Sequence, residues 1–287
     1  MEGTQILRTR PRDSHKGDFG HLLILAGSPR FRGAPALAAA AALRTGAGLV
    51  TLATGKSLVP GLQSGLTETM FLPLPEREDT IATAAALEEL KGFLPRVEAV
   101  LAGPGLGSEK AVAKLLHRFL PLCQQPLILD ADALNALAGT PEFLKTIPGP
   151  VIITPHPGEF ARLTGLPVAD IQARRLETAQ RFSRKFRVTT VLKGHQTVIA
   201  APDGRHCLNL GGNPGLATAG TGDVLAGIIA GLVVQGLEAF TAARLGVCLH
   251  GLAADLAARG TGEASLAASD LLEELPAAIG YLLKHTR

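Results

Sequence analysis

The sequence predicts an α/β protein: a central, mostly parallel sheet with helices on both faces. Three observations carry that expectation. Short, continuously apolar runs alternate with longer stretches of helical spacing, as repeated strand–helix units do. The runs show little polar alternation, so both of their faces are buried, as in parallel strands. Glycine and polar residues collect just after them, at the edge where open α/β sheets bind ligands.

Leu22 to Ala26 reads as the first buried strand, ending at Gly27-Ser28, and the Ala-rich stretch Pro35 to Leu43 as a helix. Leu49 to Ala53 is a second strand, Ala84 to Phe93 a helix, and Ala99 to Ala102 a strand stopped by Gly103-Pro104-Gly105-Leu106-Gly107. A helix over Lys110 to Leu120 leads to strand Pro126 to Asp130, which ends on an acid, and then to strand Val151 to Thr154, which ends at Pro155-His156-Pro157. Ile171 to Phe186 reads as one helix. Thr189 to Leu192 and Thr197 to Ala201 read as strands joined by a turn, and the chain beyond Val224 as mostly helical. Pro73 to Asp79 reads as a loop. With no linker and no change of composition, one domain is expected over 1–287, with 1–19 as a polar N-terminal arm.

The composition is that of a globular protein, 46% hydrophobic and 18% charged. With no Trp, one Tyr and ten Phe, the core must be filled by Ala, Leu, Val and Gly. The net charge of +3 is spread out, which argues against a nucleic-acid partner. The basic residues Arg8, Arg10, Arg12 and Lys16 are expected on a solvated arm. Cys123, Cys207 and Cys248 are too far apart for a disulfide framework or a paired metal motif. No apolar run reaches the ~18 residues of a membrane span and no signal core opens the chain, so the expected location is the cytoplasm.

The most informative stretch is Gly211 to Leu225. Glycine and small residues run through Gly220-Thr221-Gly222 into Asp223, which opens an almost wholly apolar segment. Free amides of a first helical turn and close backbone approach at glycine make an anion site. A carboxylate there repels a bound phosphate, but it fits a general base acting on a hydroxyl that attacks that phosphate. The competing role is a helix N-cap. Lys193-Gly194-His195-Gln196-Thr197 offers a point charge for phosphate, or an ordinary hairpin. In Thr154-Pro155-His156-Pro157-Gly158-Glu159 two prolines fix the backbone around His156. Glu159 either joins a magnesium–water network or caps the next helix. Asp130, Asp132 and Asn135 could hold magnesium-bound water or a ribose, or Asp132 could cap a helix. The turns Gly27 to Ala34 and Gly103 to Gly107 match neither a Walker loop nor G-x-G-x-x-G. They are expected to line a cleft. Ser28 has no nucleophile setting, and His117, His250 and His285 read as structural or surface residues.

Six blocks in order are GSPRFRGAPALAAAAALRTGAGLVTLAT, AGPGLG, LILDADALNAL, ITPHPGEFARLTG, LKGHQTVIAAPDG and GNPGLATAGTGDVLAGIIAGL. Through them the chain resembles the ADP- or ATP-dependent NAD(P)H-hydrate dehydratases of the ribokinase-like superfamily, from about Gly20 to Leu256. The resemblance implies a ribokinase-like fold and ADP- (or ATP-) dependent dehydration of the S-epimer of hydrated NADH or NADPH, with Mg2+. Asp223 would be the catalytic base, and Gly220, Thr221 and Gly222 the phosphate site. Lys193, Gly194, His195, Gln196, Thr197 and Gly222 would hold the nucleotide. Ala34, Gly105, Gly107, His156 and Asp223 would contact the hydrated dinucleotide. A homotetramer is implied, and a separate NAD(P)H-hydrate epimerase, since the chain begins too close to the first block to include one. Ala219 and Leu216 depart from the family's usual Gly and Met. The alternatives are a vitamin-precursor kinase built on the same Asp and glycine pocket, or a nucleotide sensor without turnover.

Overall fold

The computed structural model describes residues 10–77 and 80–285. Its strands are β1 His21–Leu25, β2 Leu49–Gly55, β3 Met70–Leu74, β4 Glu76–Arg77, β5 Thr80–Ile81, β6 Ala99–Ala102, β7 Leu127–Leu129, β8 Val151–Ile153, β9 Val188–Leu192, β10 Val198–Ala200 and β11 His206–Leu208. Its helices are α1 Gly33–Thr45, α2 Val59–Gln63, α3 Thr83–Phe93, α4 Lys110–Phe119, α5 Asp132–Ala136, α6 Pro157–Thr164, α7 Val168–Ala173, α8 Arg175–Phe186, α9 Thr221–Val234, α10 Ala239–Thr261 and α11 Ala268–His285, with short 3-10 turns between them.

Nine strands form one sheet in the order β11-β10-β9-β8-β7-β6-β1-β2-β3. Pairing is parallel from β3 across to β9 and antiparallel through β10 and β11. The expected mostly parallel sheet is therefore present. The central strands are buried along nearly their whole length, which is why they read as unbroken apolar runs. Alternate residues feed two cores. Leu22, Ile24, Val50 and Leu52 pack under α1, α9, α10 and α11. Leu23, Leu25, Val100 and Ala102 pack under α3, α4, α6 and α8. Close approach replaces aromatic bulk. A side chain at Gly227 would strike the Ala38 carbonyl, and one at Gly231 the Ala42 carbonyl, so α9 lies almost directly on α1.

Three expectations need correction. The stretch read as a loop from Pro73 to Asp79 includes the end of edge strand β3 and strand β4, which pairs with β5 just beyond it; Glu78 and Asp79 lie outside the described residues. Pro73 is tolerated because β3 is an edge strand. The single helix read over Ile171 to Phe186 is two, α7 and α8. Arg174 breaks it at φ −137° and ψ 48°, a kink that helical periodicity alone does not disclose. The expected solvated arm is partly docked: Arg10 donates to the Gly46 carbonyl at 2.8 Å and its guanidinium lies 4.0 Å from the centre of the Phe19 ring. Arg8, like the rest of 1–9, lies outside the described residues. No described helix is long and apolar enough to cross a membrane. Cys123, Cys207 and Cys248 are free thiols, and burial pushes the Cys123 thiol up to about 12.

Candidate active site

Strand β1 lies between β2 and β6, so the chain's progress across the sheet reverses there. Crevices form at such reversals, beyond the strand carboxyl ends. The two glycine turns leave β1 and β6 on either side of it, and they touch. The Gly27 amide donates to the Pro104 carbonyl at 2.9 Å. Gly105 has φ +62°, and a side chain on it would collide with Phe31 and press on Ala34. Sequence reasoning placed Ala34 and Gly105 in one cleft, and the structure puts them in contact. Gly107, at φ +86°, donates its amide to Asp132 Oδ2 at 2.8 Å. Asp132 also accepts from the Asn135 side chain. It is the first residue of α5, and its side chain anchors the Gly107 turn instead of capping the helix.

The small-residue loop before α9 is held from below. Asn213 Oδ1 accepts from the Gly215 amide, while Asp255 on α10 accepts from the Gly212 amide and the Asn213 side chain, each at 3.0 Å. Gly220 takes the N-cap position of α9 at φ +91°, a conformation glycine adopts without steric cost. Asp223 is therefore the third residue of the helix and not its cap. The Thr221 hydroxyl turns inward to the Leu216 and Thr218 carbonyls. Beneath it His250 donates from Nε2 to the Thr221 carbonyl at 2.8 Å, and burial, aided by Lys193, holds its pKa down to about 4. Among the described residues, the amides of Gly220, Gly222 and Asp223 have no acceptor. They are free donors of the kind that helix starts offer to anions.

Lys193 sits at the centre. Its ammonium donates to Asp130 Oδ1 at 2.8 Å and lies 3.9 Å from Glu159 Oε2. It is also 3.3 Å from where a Gly222 side chain would begin. Burial would depress its pKa, but Asp130, Glu159 and Asp223 outweigh burial and raise it, so it remains a cation. Asp130 is buried and also accepts from the Thr154 hydroxyl at 2.7 Å. Asp223 accepts no hydrogen bond from any described residue. Burial, then the Asp130 charge, push its pKa up to about 7 against the pull of Lys193; Asp132 and Glu159 push the same way. A half-buried, unpaired carboxylate with that pKa is matched to proton transfer near neutrality.

His156 is the N-cap of α6. Its Nδ1 accepts from the Gly158 and Glu159 amides, and the Glu159 carboxylate accepts from the His156 amide at 2.8 Å. That is a reciprocal capping box, so Glu159 does cap the helix. Burial, Lys193 and Arg162 lower the His156 pKa, leaving a neutral ring whose Nε2 carries the proton. In the β9–β10 hairpin, Gly194 (φ +144°) and Gln196 (φ +54°) make the turn, and His195 and Gln196 are exposed at its tip. Thr197 closes the turn by donating to the Gly194 carbonyl. The structure thus joins Lys193, but not His195 or Gln196, to the Asp223 cluster. Arg175 and Asp255 are supports that sequence reasoning missed, while His250, read as structural or surface, is structural. Arg175 donates to the Leu192 and Lys193 carbonyls. None of the three lies in a motif, and only the long-range contact gives it meaning.

No three metal-ligating side chains come together among the described residues. Both Asp132 oxygens are bonded, and Asp130 takes Lys193 and Thr154 on the same oxygen, Oδ1. These residues do not make a protein cage for magnesium, which usually keeps several waters and binds through phosphates.

Sheet order, switch point and anion turn define a ribokinase-like protein, and the comparisons agree. The family model described as NAD(P)H-hydrate dehydratase matches residues 22–277. The chain belongs to that family. It is 47% identical to the bifunctional NAD(P)H-hydrate repair enzyme Nnr of Moorella thermoacetica, over 97% of this chain and 52% of that one. It is 39% identical to the ADP-dependent (S)-NAD(P)H-hydrate dehydratase of Neisseria meningitidis serogroup B, over 96% and 89%. The crystal structure of the ADP/ATP-dependent NAD(P)H-hydrate dehydratase of Bacillus subtilis, co-crystallized with ATP/Mg2+, superposes with a TM-score of 0.81 at 34% identity, covering 95% of this chain and 93% of that one. The chain spans about half the length of the first bifunctional relatives it matches.

Proposed function

We propose that this chain dehydrates the S-epimer of hydrated NADH or NADPH at the expense of ADP, releasing AMP and phosphate. The observation that carries the reading is Asp223: unpaired, with its pKa raised to about 7, and seated one residue from amides that have no acceptor. Asp223 takes the proton of the hydrate's ring hydroxyl. The oxygen attacks the terminal phosphorus of ADP, the bond to AMP breaks, and the Gly220, Gly222 and Asp223 amides hold the transferred group's oxygens. The phosphate then leaves with its C–O pair. The ring nitrogen's lone pair drives that loss, a ring proton is released, and the reduced nicotinamide is restored. Lys193 keeps one positive charge beneath the turn, which offsets the carboxylates that would otherwise repel phosphate. Ala34, Gly105, Gly107 and His156 are assigned to the dinucleotide, and Lys193 to Thr197 with Gly222 to the nucleotide. Magnesium enters with the nucleotide's phosphates.

The names of the Neisseria and Bacillus relatives support this reading, and the fold supports the nucleotide. The bifunctional names of the relatives support a second repair activity in the same pathway, which we assign to an NAD(P)H-hydrate epimerase. We place the chain in the cytoplasm as a homo-oligomer. The test is incubation with hydrated NADH, ADP and magnesium. Return of the reduced-nicotinamide absorbance is expected. No return, with phosphorylation of a hydroxymethylpyrimidine or hydroxyethylthiazole alcohol instead, would give the chain to the kinases.

A further inference from the structure

Helix α10 is the floor under the loop that leads into α9, and it carries one buried titratable group that the proposed chemistry does not use. A side chain at Gly251 would press on the Gly211 carbonyl, so the helix lies against the loop backbone. Asp255, about one turn on, takes the Gly212 amide and the Asn213 side chain. His250 reaches the other end of the loop, where its Nε2 lies 2.8 Å from the Thr221 carbonyl oxygen. The ring is only 8% exposed, on a stretch of α10 whose buried residues are otherwise apolar or glycine. An apolar side chain of that size would avoid the cost of taking an imidazole out of water.

The Thr221 carbonyl does not need the histidine. Thr221 is the first residue of α9, and the helical pattern gives its carbonyl the amide of Leu225. What the histidine adds is direction. The peptide joining Thr221 to Gly222 is trans and planar, so its carbonyl and its N–H point opposite ways. His250 grips the carbonyl end. The other end is the Gly222 amide, which has no acceptor among the described residues and lies at the open helix start beside the Lys193 ammonium. A donor on the carbonyl also polarises the peptide and strengthens its N–H by roughly 10–30%. The carbonyl can only accept, so the ring's proton is on Nε2. Burial, with Lys193, holds the ring's pKa down to about 4 against the hydrogen bond to Thr221. The ring is therefore neutral near pH 7, and the positive charge beneath the turn is that of Lys193.

We propose that His250 is a positioning residue for phosphoryl transfer: by holding the Thr221 carbonyl, it aims the Gly222 amide of the same peptide at the oxygens of the transferred group. The inference rests on the dehydratase reading above, which supplies that group. Asp255 and the close contact at Gly251 fix the entry of the loop. His250 fixes its exit, at the peptide where the free amides begin. A misaimed donor costs most where negative charge builds up, in the transition state, so the loss falls on kcat and spares ADP binding.

Two measurements on the intact protein test this. Nitrogen NMR of the histidine rings in the wild-type protein is expected to show His250 neutral, with its proton on Nε2; a proton on Nδ1 overturns the assignment without any variant having to fold. The second is kinetics with hydrated NADH, ADP and magnesium. His250→Leu and His250→Asn both remove the donor, and the second keeps a polar side chain. Each is expected to lower kcat about 10- to 30-fold, less than the roughly 10²–10³ for outright loss of an oxyanion donor. The calorimetric ADP dissociation constant is expected to stay within about twofold of wild type. His250→Gln carries an N–H to much the same place as Nε2, and is expected to bring kcat back to within about threefold of wild type. A role confined to packing predicts no such rescue. Leu and Asn variants with kcat near wild type, or a Gln variant as slow as they are, overturn the inference while wild-type turnover keeps the dehydratase reading. A wild-type protein inactive on the hydrate removes that reading and the inference with it.

Discussion

Helices α6 and α9 start beside the same ammonium, that of Lys193, and each carries an acid at its third residue. One start is closed and the other open. At α6 the His156 ring and the Glu159 carboxylate consume the free amides and each other. At α9 a glycine caps the helix with no side chain, the amides face outward, and Asp223 has no partner. Position in the helix is therefore not what makes a base. Glu159 is held by backbone hydrogen bonding, which favours its charged form; burial still raises its pKa. Asp223 lacks that compensation, so burial and its acidic neighbours act on it unopposed except by Lys193.

The largest effect that would break this contrast is on turnover. Asp223→Asn keeps the shape and removes the base, so kcat is expected to fall by about 10³, with the ADP dissociation constant within a few-fold of wild type. Rapid-quench measurement of AMP release and calorimetry with ADP give the two numbers. A variant retaining a tenth of wild-type kcat would end the assignment of Asp223.

Next is the shared ammonium. Lys193→Met leaves Asp130 buried with its charge unpaired, and is expected to cost about 3 kcal/mol in chemical denaturation. It also removes the one charge that lowers the Asp223 pKa, so the acid limb of kcat/KM moves to higher pH. The reading from sequence, in which Lys193 chiefly serves the nucleotide, predicts weaker ADP binding without so large a loss of stability, and the denaturation curve separates the two.

Closing versus opening is tested at the other helix. Glu159→Ala removes half of the capping box and is expected to cost about 1 kcal/mol, with kcat changed no more than a few-fold. A loss of kcat approaching that of Asp223→Asn would make Glu159 a catalytic residue and erase the difference between the two helix starts.

These contrasts also show what the sequence could carry. Uninterrupted apolar runs such as Leu22 to Leu25 gave the central strands, because a strand buried on both faces leaves no polar alternation to confuse. Pro73 hid edge strand β3, since proline signals a loop wherever partner strands are unknown. Gly220 to Asp223 was legible as the glycine-led start of an apolar helix because its parts are contiguous. Whether Glu159 and Asp132 were caps or ligands was not legible. Each is decided by a partner such as the Gly107 amide, 25 positions away from Asp132. Asp255 and His250, which hold the turn from α10, lie in an ordinary Ala- and Leu-rich helix and carry no local mark.

The smallest effect is on stability, and it sharpens the contrast most. Asp223 ionises at 3.8 as an isolated side chain and near 7 in the fold. The folded state therefore binds this proton more tightly than the unfolded one. Its contribution to stability is fully present below pH 4 and is lost as pH rises through 7. Replacing Asp223 by Asn removes that loss. At pH 8 the variant is expected to be about 1–2 kcal/mol more stable than wild type, and at pH 4 close to it. Glu159→Gln gives the control: its carboxylate already accepts from the His156 amide, so a gain at pH 8 smaller than that of Asp223→Asn is expected. Urea denaturation at both pH values reads the difference. An Asp223→Asn variant no more stable than wild type at pH 8 would mean that this carboxylate finds a partner in solution, and the open helix start would then be no freer than the closed one.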